Sequence, residues 1–186
     1  MKARDILQIT ESVGICYGRW NPPHKGHKEV WENASKCKSW YVGTNENTQD
    51  KKNPLPYDVK VECMKAVYPK VNGHIMPTKQ VFELATNVYK KHGKDVDLKV
   101  YTDESWIVES LTRYNGVESK HGYYLFNSIE QVETDRLSSA TSLREAVLAG
   151  NRDQFTEAAG FSADAEINNV KFFDLVSKYL KQYQSK

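Results

Sequence analysis

Two histidines three residues apart, His24 and His27, follow an arginine in the stretch Gly18-Arg19-Trp20-Asn21-Pro22-Pro23-His24-Lys25-Gly26-His27. Imidazole is the one side chain whose unperturbed charge change lies near neutral pH. If a helix begins near Gly26, this spacing projects both rings to one side of the turn. Gly26 lets a ligand or a neighbouring backbone come close and tolerates unusual φ/ψ. Pro22 and Pro23 stiffen the approach and supply no N–H. Two imidazoles beside an arginine suit polyphosphate, because they stabilise the charge that builds up as a P–O bond breaks and need form no covalent intermediate. Histidines at this spacing also occur as plain surface residues or as half of a metal site. No cysteine or carboxylate stands at zinc-like spacing nearby, so no metal site is expected.

A second group of anion-binding side chains lies in Ser138-Ser139-Ala140-Thr141-Ser142-Leu143-Arg144. This hydroxyl-rich turn precedes a helix, Glu145-Ala146-Val147-Leu148-Ala149, that Gly150 caps. Hydroxyls and free amides at a helix start accept a phosphate readily, and Arg144 can reach the same anion with a fork geometry that lysine lacks. The alternative is an ordinary Ser/Thr N-cap with an exposed arginine.

The elements that must position these groups follow from pattern. The apolar run at residues 13–17 reads as a buried strand, and the first helix runs over residues 26–36. The histidines therefore sit where a strand hands over to a helix, beyond the carboxyl end of the strand, where open α/β sheets bind ligands. The helix start adds free N–H groups and a partial positive charge. Residues 1–12 read as a short helical lead-in. Further strands are predicted at residues 39–44, 71–76, 97–101 and 129–133, and helices at 57–67, 80–92 and 106–114. Val81, Leu84, Ala85 and Val88 form an apolar stripe that reads as core, and Gly93 as a C-cap. The polar loop at residues 45–56 is long enough to suggest a functional role. After Gly150 the chain reads as helical, at residues 151–159 and 165–183, with Val170, Phe173, Leu175, Val176 and Leu180 as a packing surface. The predicted fold is a doubly wound, Rossmann-like α/β domain over residues 1–186. It has a mostly parallel five-stranded sheet with helices on both faces in residues 1–150 and a helical extension in residues 151–186. The terminal helices are expected to cover the site, pack on the sheet or form a contact in a homo-oligomer.

Composition bounds the partners. The 186 residues carry a net charge of +2 and a mean hydropathy of −0.68, with no apolar run of membrane length and no signal-like hydrophobic start. Neither a membrane nor nucleic acid is an expected partner. Cys16, Cys37 and Cys63 are an odd number without a pairing pattern and read as buried thiols of a reducing, cytoplasmic compartment.

The first stretch resembles the signature G-R-[FW]-x-P-x-[HT]-x-G-H of the HxGH nucleotidyltransferase superfamily. Its members include nicotinamide-mononucleotide adenylyltransferases, pantetheine-phosphate adenylyltransferase and cytidylyltransferases. In flavour it is similar to the small nucleotidyltransferases common in tailed bacteriophage genomes, which would place the chain in a host cytoplasm. Ser139-Ala140-Thr141-Ser142-Leu143-Arg144 resembles the second signature, I-S-S-T-x-[IV]-R. Ser138 replaces the usual apolar residue and Ala140 the second serine, while the threonine and arginine are kept. Asn53-Pro54-Leu55 with Lys60 is similar to the Asn-Pro-[FL] and later basic residue that relatives carry over the acceptor or the triphosphate. The alternative is a Pro-initiated helix with Lys60 on a solvated face. Relatives often carry Gly-x-Asp near the nucleotide where this chain has Tyr101-Thr102-Asp103. Asp103 either keeps that role or N-caps the next helix, and Trp106 either stacks on a base or packs in the core. His121-Gly122-Tyr123-Tyr124-Leu125-Phe126 resembles a stretch of the phage-type relatives and carries no assigned chemistry. The resemblance spans roughly residues 13–149.

The resemblance implies transfer of a nucleoside monophosphate from a Mg²⁺-bound triphosphate, ATP or else CTP, to a small phosphorylated acceptor such as nicotinamide mononucleotide, releasing pyrophosphate. It implies His24 on the triphosphate and His27 on the α-phosphate and pentavalent transition state. Arg19, Thr141 and Arg144 would hold the β- and γ-phosphates. Gly18, Trp20, Asn21, Pro22, Gly26, Ser139 and Ser142 would complete the nucleotide site, and Asn53, Lys60, Asp103 and Trp106 would serve the acceptor. Two readings come from other classes. Ala140 suggests a non-catalytic nucleotide-binding or assembly protein on the same fold. An RNA-directed protein using exposed Trp, Tyr and Lys residues would want a basic cluster that the sequence lacks.

Overall fold

The computed structural model describes residues 11–46, 49–134 and 139–183. The apolar run behind the signature forms β1 (Glu11–Tyr17), the middle strand of a parallel sheet. It pairs with β2 (Ser39–Thr44) on one side, Tyr17 lying beside Gly43, and with β4 (Val96–Tyr101) on the other. β3 (Ile75–Pro77) and β5 (Ser128–Val132) are the edges, giving the order β3-β2-β1-β4-β5. Strands buried on both faces explain why β1 reads as a continuous apolar run rather than an alternation.

Successive strand residues face opposite ways, and the core splits accordingly. Val13, Ile15, Tyr41, Leu98 and Val100 meet α3 (Val81–His92) and α4 (Ser105–Arg113) on one face. Cys16, Trp40, Val42 and Tyr101 meet α1 (Lys25–Ala34) and α2 (Tyr57–Val67) on the other. The same cluster takes in Leu143 of α5 (Ala140–Leu148), Phe155 of α6 (Arg152–Ala159) and Phe172 and Val176 of α7 (Phe172–Lys181). The C-terminal helices thus pack beside α1 and α2. This is the doubly wound arrangement that strand–helix alternation predicts. No helix among the described residues is long and apolar enough to cross a membrane.

Four expectations are corrected. Residues 11 and 12 belong to β1, and the rest of the predicted lead-in lies outside the described residues, as does Ser138. The third strand does not start at residue 71, because Pro69–Val71 makes a 3-10 turn, with the Val71 N–H donating to the Tyr68 carbonyl at 2.9 Å. The hydroxyl-rich turn is not outside its helix: α5 begins at Ala140, so Thr141, Ser142 and Arg144 are helical. Finally, residues 165–171 are not helical. Glu166–Ile167 (β6) and Val170–Lys171 (β7) form an antiparallel hairpin. Its turn residues Asn168 and Asn169 take φ of 52° and 63°, a left-handed geometry that asparagine tolerates and two-residue hairpin turns require. Val170 is consequently exposed, whereas Phe173, Leu175, Val176 and Leu180 are buried.

The stretch at residues 121–126 is packing. The His121 ring stacks on Phe82 at 5.5 Å, and the Tyr124 hydroxyl donates to the Leu111 carbonyl at 2.8 Å, tying the loop to α3 and α4.

Candidate active site

The loop after β1 is fastened to the end of β2. The Gly43 carbonyl accepts from the Gly18 N–H at 3.2 Å and from Trp20 Nε1 at 2.8 Å. A Cβ on Gly18 would stand 2.8 Å from the Trp20 indole, so the loop can fold this way only around a glycine. Trp20 itself takes φ 50°, a left-handed conformation that is unfavourable for a bulky residue. The hydrogen bond to Gly43 holds it there, together with edge-on packing against His27 (4.9 Å) and Trp31 (5.5 Å). Asn21 is engaged from both ends of its amide: Nδ2 donates to the Leu55 carbonyl at 2.8 Å, and Oδ1 accepts from the Leu55 N–H at 3.0 Å. It braces the Asn53-Pro54-Leu55 segment against the loop. The Asn21–Pro22 peptide is cis, and Pro22 and Pro23 are buried.

His24 is the N-cap of α1. Its backbone is extended, and its Nδ1 accepts from the Gly26 N–H at 3.1 Å, where a serine or aspartate oxygen would usually serve. Gly26 therefore lies in the first helical turn and uses no unusual φ/ψ. With Nδ1 accepting, a neutral His24 carries its hydrogen on Nε2. The His27 ring lies 3.5 Å from that of His24 by centroids, tilted by 31°, and its Nδ1 is shut from solvent without a hydrogen-bond partner. Burial, and then the Arg144 charge, push the His24 pKa down to about 4. Burial, and then His24, hold His27 well below the usual histidine range. At neutral pH both rings are uncharged hydrogen-bonding groups. They stand at a helix start with no acidic residue in its first turn, where the helix's partial positive charge favours an anion.

α5 brings the second group to the same place. Ser139 is its N-cap, with Oγ accepting from the Ser142 N–H at 3.3 Å and lying 3.4 Å from the Ser142 hydroxyl. This helix also lacks an acid in its first turn. Arg144 Nη2 donates to Thr141 Oγ1 at 3.1 Å, and Nη1 to the Lys52 carbonyl at 2.9 Å. The electrostatic influence of Arg144 on His24 ties α5 to the signature loop. Arg19 is exposed, its carbonyl accepts from Thr44 Oγ1 at 3.3 Å, and its charge reaches both Arg144 and Asp50. Charge influence thus runs from Arg19 to Arg144 and from Arg144 to His24, and the His24 ring lies against that of His27 at the carboxyl edge of the sheet.

The residues expected on the acceptor side divide. Lys60 is 3% exposed, not solvated: Nζ donates to Thr44 Oγ1 at 2.8 Å and to the Asn45 carbonyl at 2.7 Å, and burial lowers its pKa to about 8. Asn53 is buried, and its Nδ2 donates to Asp50 Oδ1 at 3.0 Å. Asp103 is exposed and is not the N-cap of α4; Glu104 occupies that position, its N–H donating to Thr102 Oγ1 at 3.1 Å. Trp106 is 56% exposed and so is not core, and its Nε1 donates to Glu104 Oε2 at 3.0 Å. Sequence reasoning missed Thr44, Asp50 and Lys52. Only the turn-forming string Asp50-Lys51-Lys52-Asn53 signalled any of them.

A family model described as cytidylyltransferase-like matches residues 15–145, from β1 through the arginine of α5. The chain belongs to that family, within the nucleotidyltransferase superfamily. The match takes in both stretches and ends one residue past Arg144. Two curated relatives of this nucleotidyltransferase are the phosphopantetheine adenylyltransferases of Lactococcus lactis subsp. cremoris (strain MG1363) and subsp. lactis (strain IL1403). Each is 29% identical over 123 residues, covering 64% of this chain and 67% of the relative. Among solved structures, a bifunctional NMN adenylyltransferase/ADP ribose pyrophosphatase from Francisella tularensis superposes with a TM-score of 0.59 at 18% identity. It covers 94% of this chain, and the chain spans about half of its length (52%). That likeness is one of fold.

Proposed function

We propose that the chain transfers AMP from ATP to the phosphate of a small phosphorylated acceptor. An acceptor phosphate oxygen attacks the α-phosphorus in line, the bond from the α-phosphorus to the bridging oxygen breaks, and pyrophosphate leaves with the electron pair. The observation that carries this reading is the pair of neutral imidazoles, His24 and His27, at the start of α1 and under the influence of the Arg144 charge. There is little covalent work for a protein in such a step, so positioning and charge stabilisation set the rate. His24, held in one tautomer by Gly26, directs Nε2–H at the triphosphate. His27 serves the α-phosphate as negative charge moves onto the bridging oxygen. Arg19, Thr141 and Arg144 hold the β- and γ-phosphates, beside the hydroxyls of Ser139 and Ser142. Among the described residues no group of three His, Cys, Asp or Glu side chains could cage a metal ion. In this reading magnesium enters as part of the MgATP substrate.

The names of the Lactococcus relatives support adenylyl transfer, with phosphopantetheine as one acceptor to test. The resemblance of the Asn53-Pro54-Leu55 segment, which Asn21 braces, to that of the nicotinamide-mononucleotide enzymes makes nicotinamide mononucleotide the first to test. The test is pyrophosphate release with Mg²⁺, each nucleoside triphosphate scanned against a panel of phosphorylated acceptors. Release with ATP and one acceptor is expected. Release with CTP alone would replace the donor. ATP binding without release across the panel would favour a non-catalytic nucleotide-binding protein.

A further inference from the structure

Asp50 is a carboxylate within electrostatic range of both Arg19 and Arg144, where its negative charge works against binding an anion. It starts a tight turn. Its Oδ1 accepts from the N–H groups of Lys52 (2.7 Å) and Asn53 (2.8 Å) and from Asn53 Nδ2 (3.0 Å). Reciprocal backbone bonds between Asp50 and Asn53, at 3.2 and 3.0 Å, close it. The turn aims the Lys52 carbonyl at α5, where Arg144 Nη1 donates to it at 2.9 Å, while Nη2 is held by Thr141. A guanidinium is a planar fork, so two hydrogen bonds from different nitrogens fix its plane and the directions of its remaining donors. One of those anchors comes from the helix that carries the arginine. The other comes from a turn ninety-two positions earlier in the chain, and that turn hangs on one oxygen of Asp50.

We propose that Asp50 is a positioning residue for the nucleotide, acting through the Lys52 carbonyl to hold the Arg144 guanidinium in its phosphate-binding orientation. The proposal rests on the reading that Arg144 binds the triphosphate. The work is done by the geometry of the oxygen and not by its charge, since a negative charge here opposes an incoming polyphosphate. Asp50→Asn keeps the acceptor oxygen and the turn. Asp50→Glu keeps the charge but moves the carboxylate out by one methylene, which the turn does not accommodate. Asp50 lies at the surface, so neither change disturbs the core.

The test is calorimetric titration of MgATP into the wild type, D50N, D50E, R144A and the double variant D50E/R144A. D50E is expected to raise Kd roughly five- to tenfold, the scale of one lost positioning hydrogen bond. D50N is expected to bind as tightly as the wild type or more tightly. The double variant should bind no more weakly than R144A, because two changes acting through one group do not add. D50N as weak as D50E, or effects of D50E and R144A that multiply, would overturn the proposal. A weakened R144A beside an unaffected D50E removes the role of Asp50 alone. An R144A that binds as the wild type removes the reading of Arg144, and the positioning role with it.

Discussion

The two ends of β1 hold histidines in opposite circumstances. At the carboxyl end, His24 and His27 face each other under the influence of the Arg144 charge, and one His27 nitrogen is sealed in without a partner among the described residues. At the amino end, His92 from α3 lies between two partners. Its Nδ1 stands 3.2 Å from Glu11 Oε2, and its Nε2 stands 2.8 Å from the Tyr41 hydroxyl. The Glu11 carboxylate also accepts from the Ser39 hydroxyl at 2.7 Å, which with His92 keeps its pKa below the ordinary value. The same ring is tied into the fold through both nitrogens at one end and buried against a second imidazole at the other. Tied in, it clamps α3 to the starts of β1 and β2. Buried against its neighbour, it is held neutral. In the proposed reaction it is this neutral pair that meets the triphosphate.

That contrast can be broken at either end. The largest effect is expected for His27→Ala, which should lower pyrophosphate release about a thousandfold or more, the scale for removing a group that stabilises transition-state charge, while far-ultraviolet circular dichroism still reports a folded chain. A folded variant with full turnover would remove His27 from the chemistry. Next comes proton linkage. The His24 pKa falls from 6.5 to about 4 on folding, so the unfolded chain binds more protons in that interval. Stability should be at its full value above pH 6.5 and fall as the pH drops toward 4, by roughly 3 kcal/mol from this ring, with His27 acting in the same direction. Denaturant titrations across that range would measure it. Imidazole NMR shifts of His24 should stay those of a neutral ring down to pH 5.5, and a midpoint near 6.5 would contradict the buried geometry. Arg144→Ala should weaken MgATP binding roughly tenfold by calorimetry, as loss of a charged hydrogen-bonding partner implies. His92→Ala sharpens the comparison from the other end. It should remove about 1 kcal/mol of stability, a fall of about 2–4 °C in Tm for a chain of this size, and leave nucleotide affinity where it was.

Regular packing was legible in the sequence where one physical signal dominated. β2 and α2 occupy the spans expected of them, because an aromatic and β-branched run and a stripe of Val59, Cys63, Met64 and Val67 leave little ambiguity. Signals that compete were misread. Residues 165–183 satisfy helical spacing throughout, yet the Asn168-Asn169 pair turns the chain back on itself before α7 begins. The serines and threonine before Arg144 look like a turn, but Ser139 caps the helix and places the others inside it. Trp106 reads as core by residue type, but Ile107 and Leu111 supply the buried face of α4 and leave the indole outward. For the candidate site, the grouping of His24 with His27 follows from spacing, and that of Arg144 with them from the resemblance of two separate stretches. Asp50 and Lys52 signal a turn by residue type, but their relation to Arg144 was beyond reach, because it is made by tertiary folding alone and no local rule connects them.

The position of β1 in the middle of the sheet also governs how the chain can be made. The strand is made before either of its neighbours, and one of its edges waits for β4 and cannot be closed before Val100 has been synthesised. Until then a run of apolar residues with unpaired backbone on one side is open to other nascent chains, the kind of edge that promotes misassembly. The loop bearing both histidines hangs from that unfinished strand. Arg144 arrives later still, so a chain interrupted anywhere before α5 would display the imidazoles without the arginine.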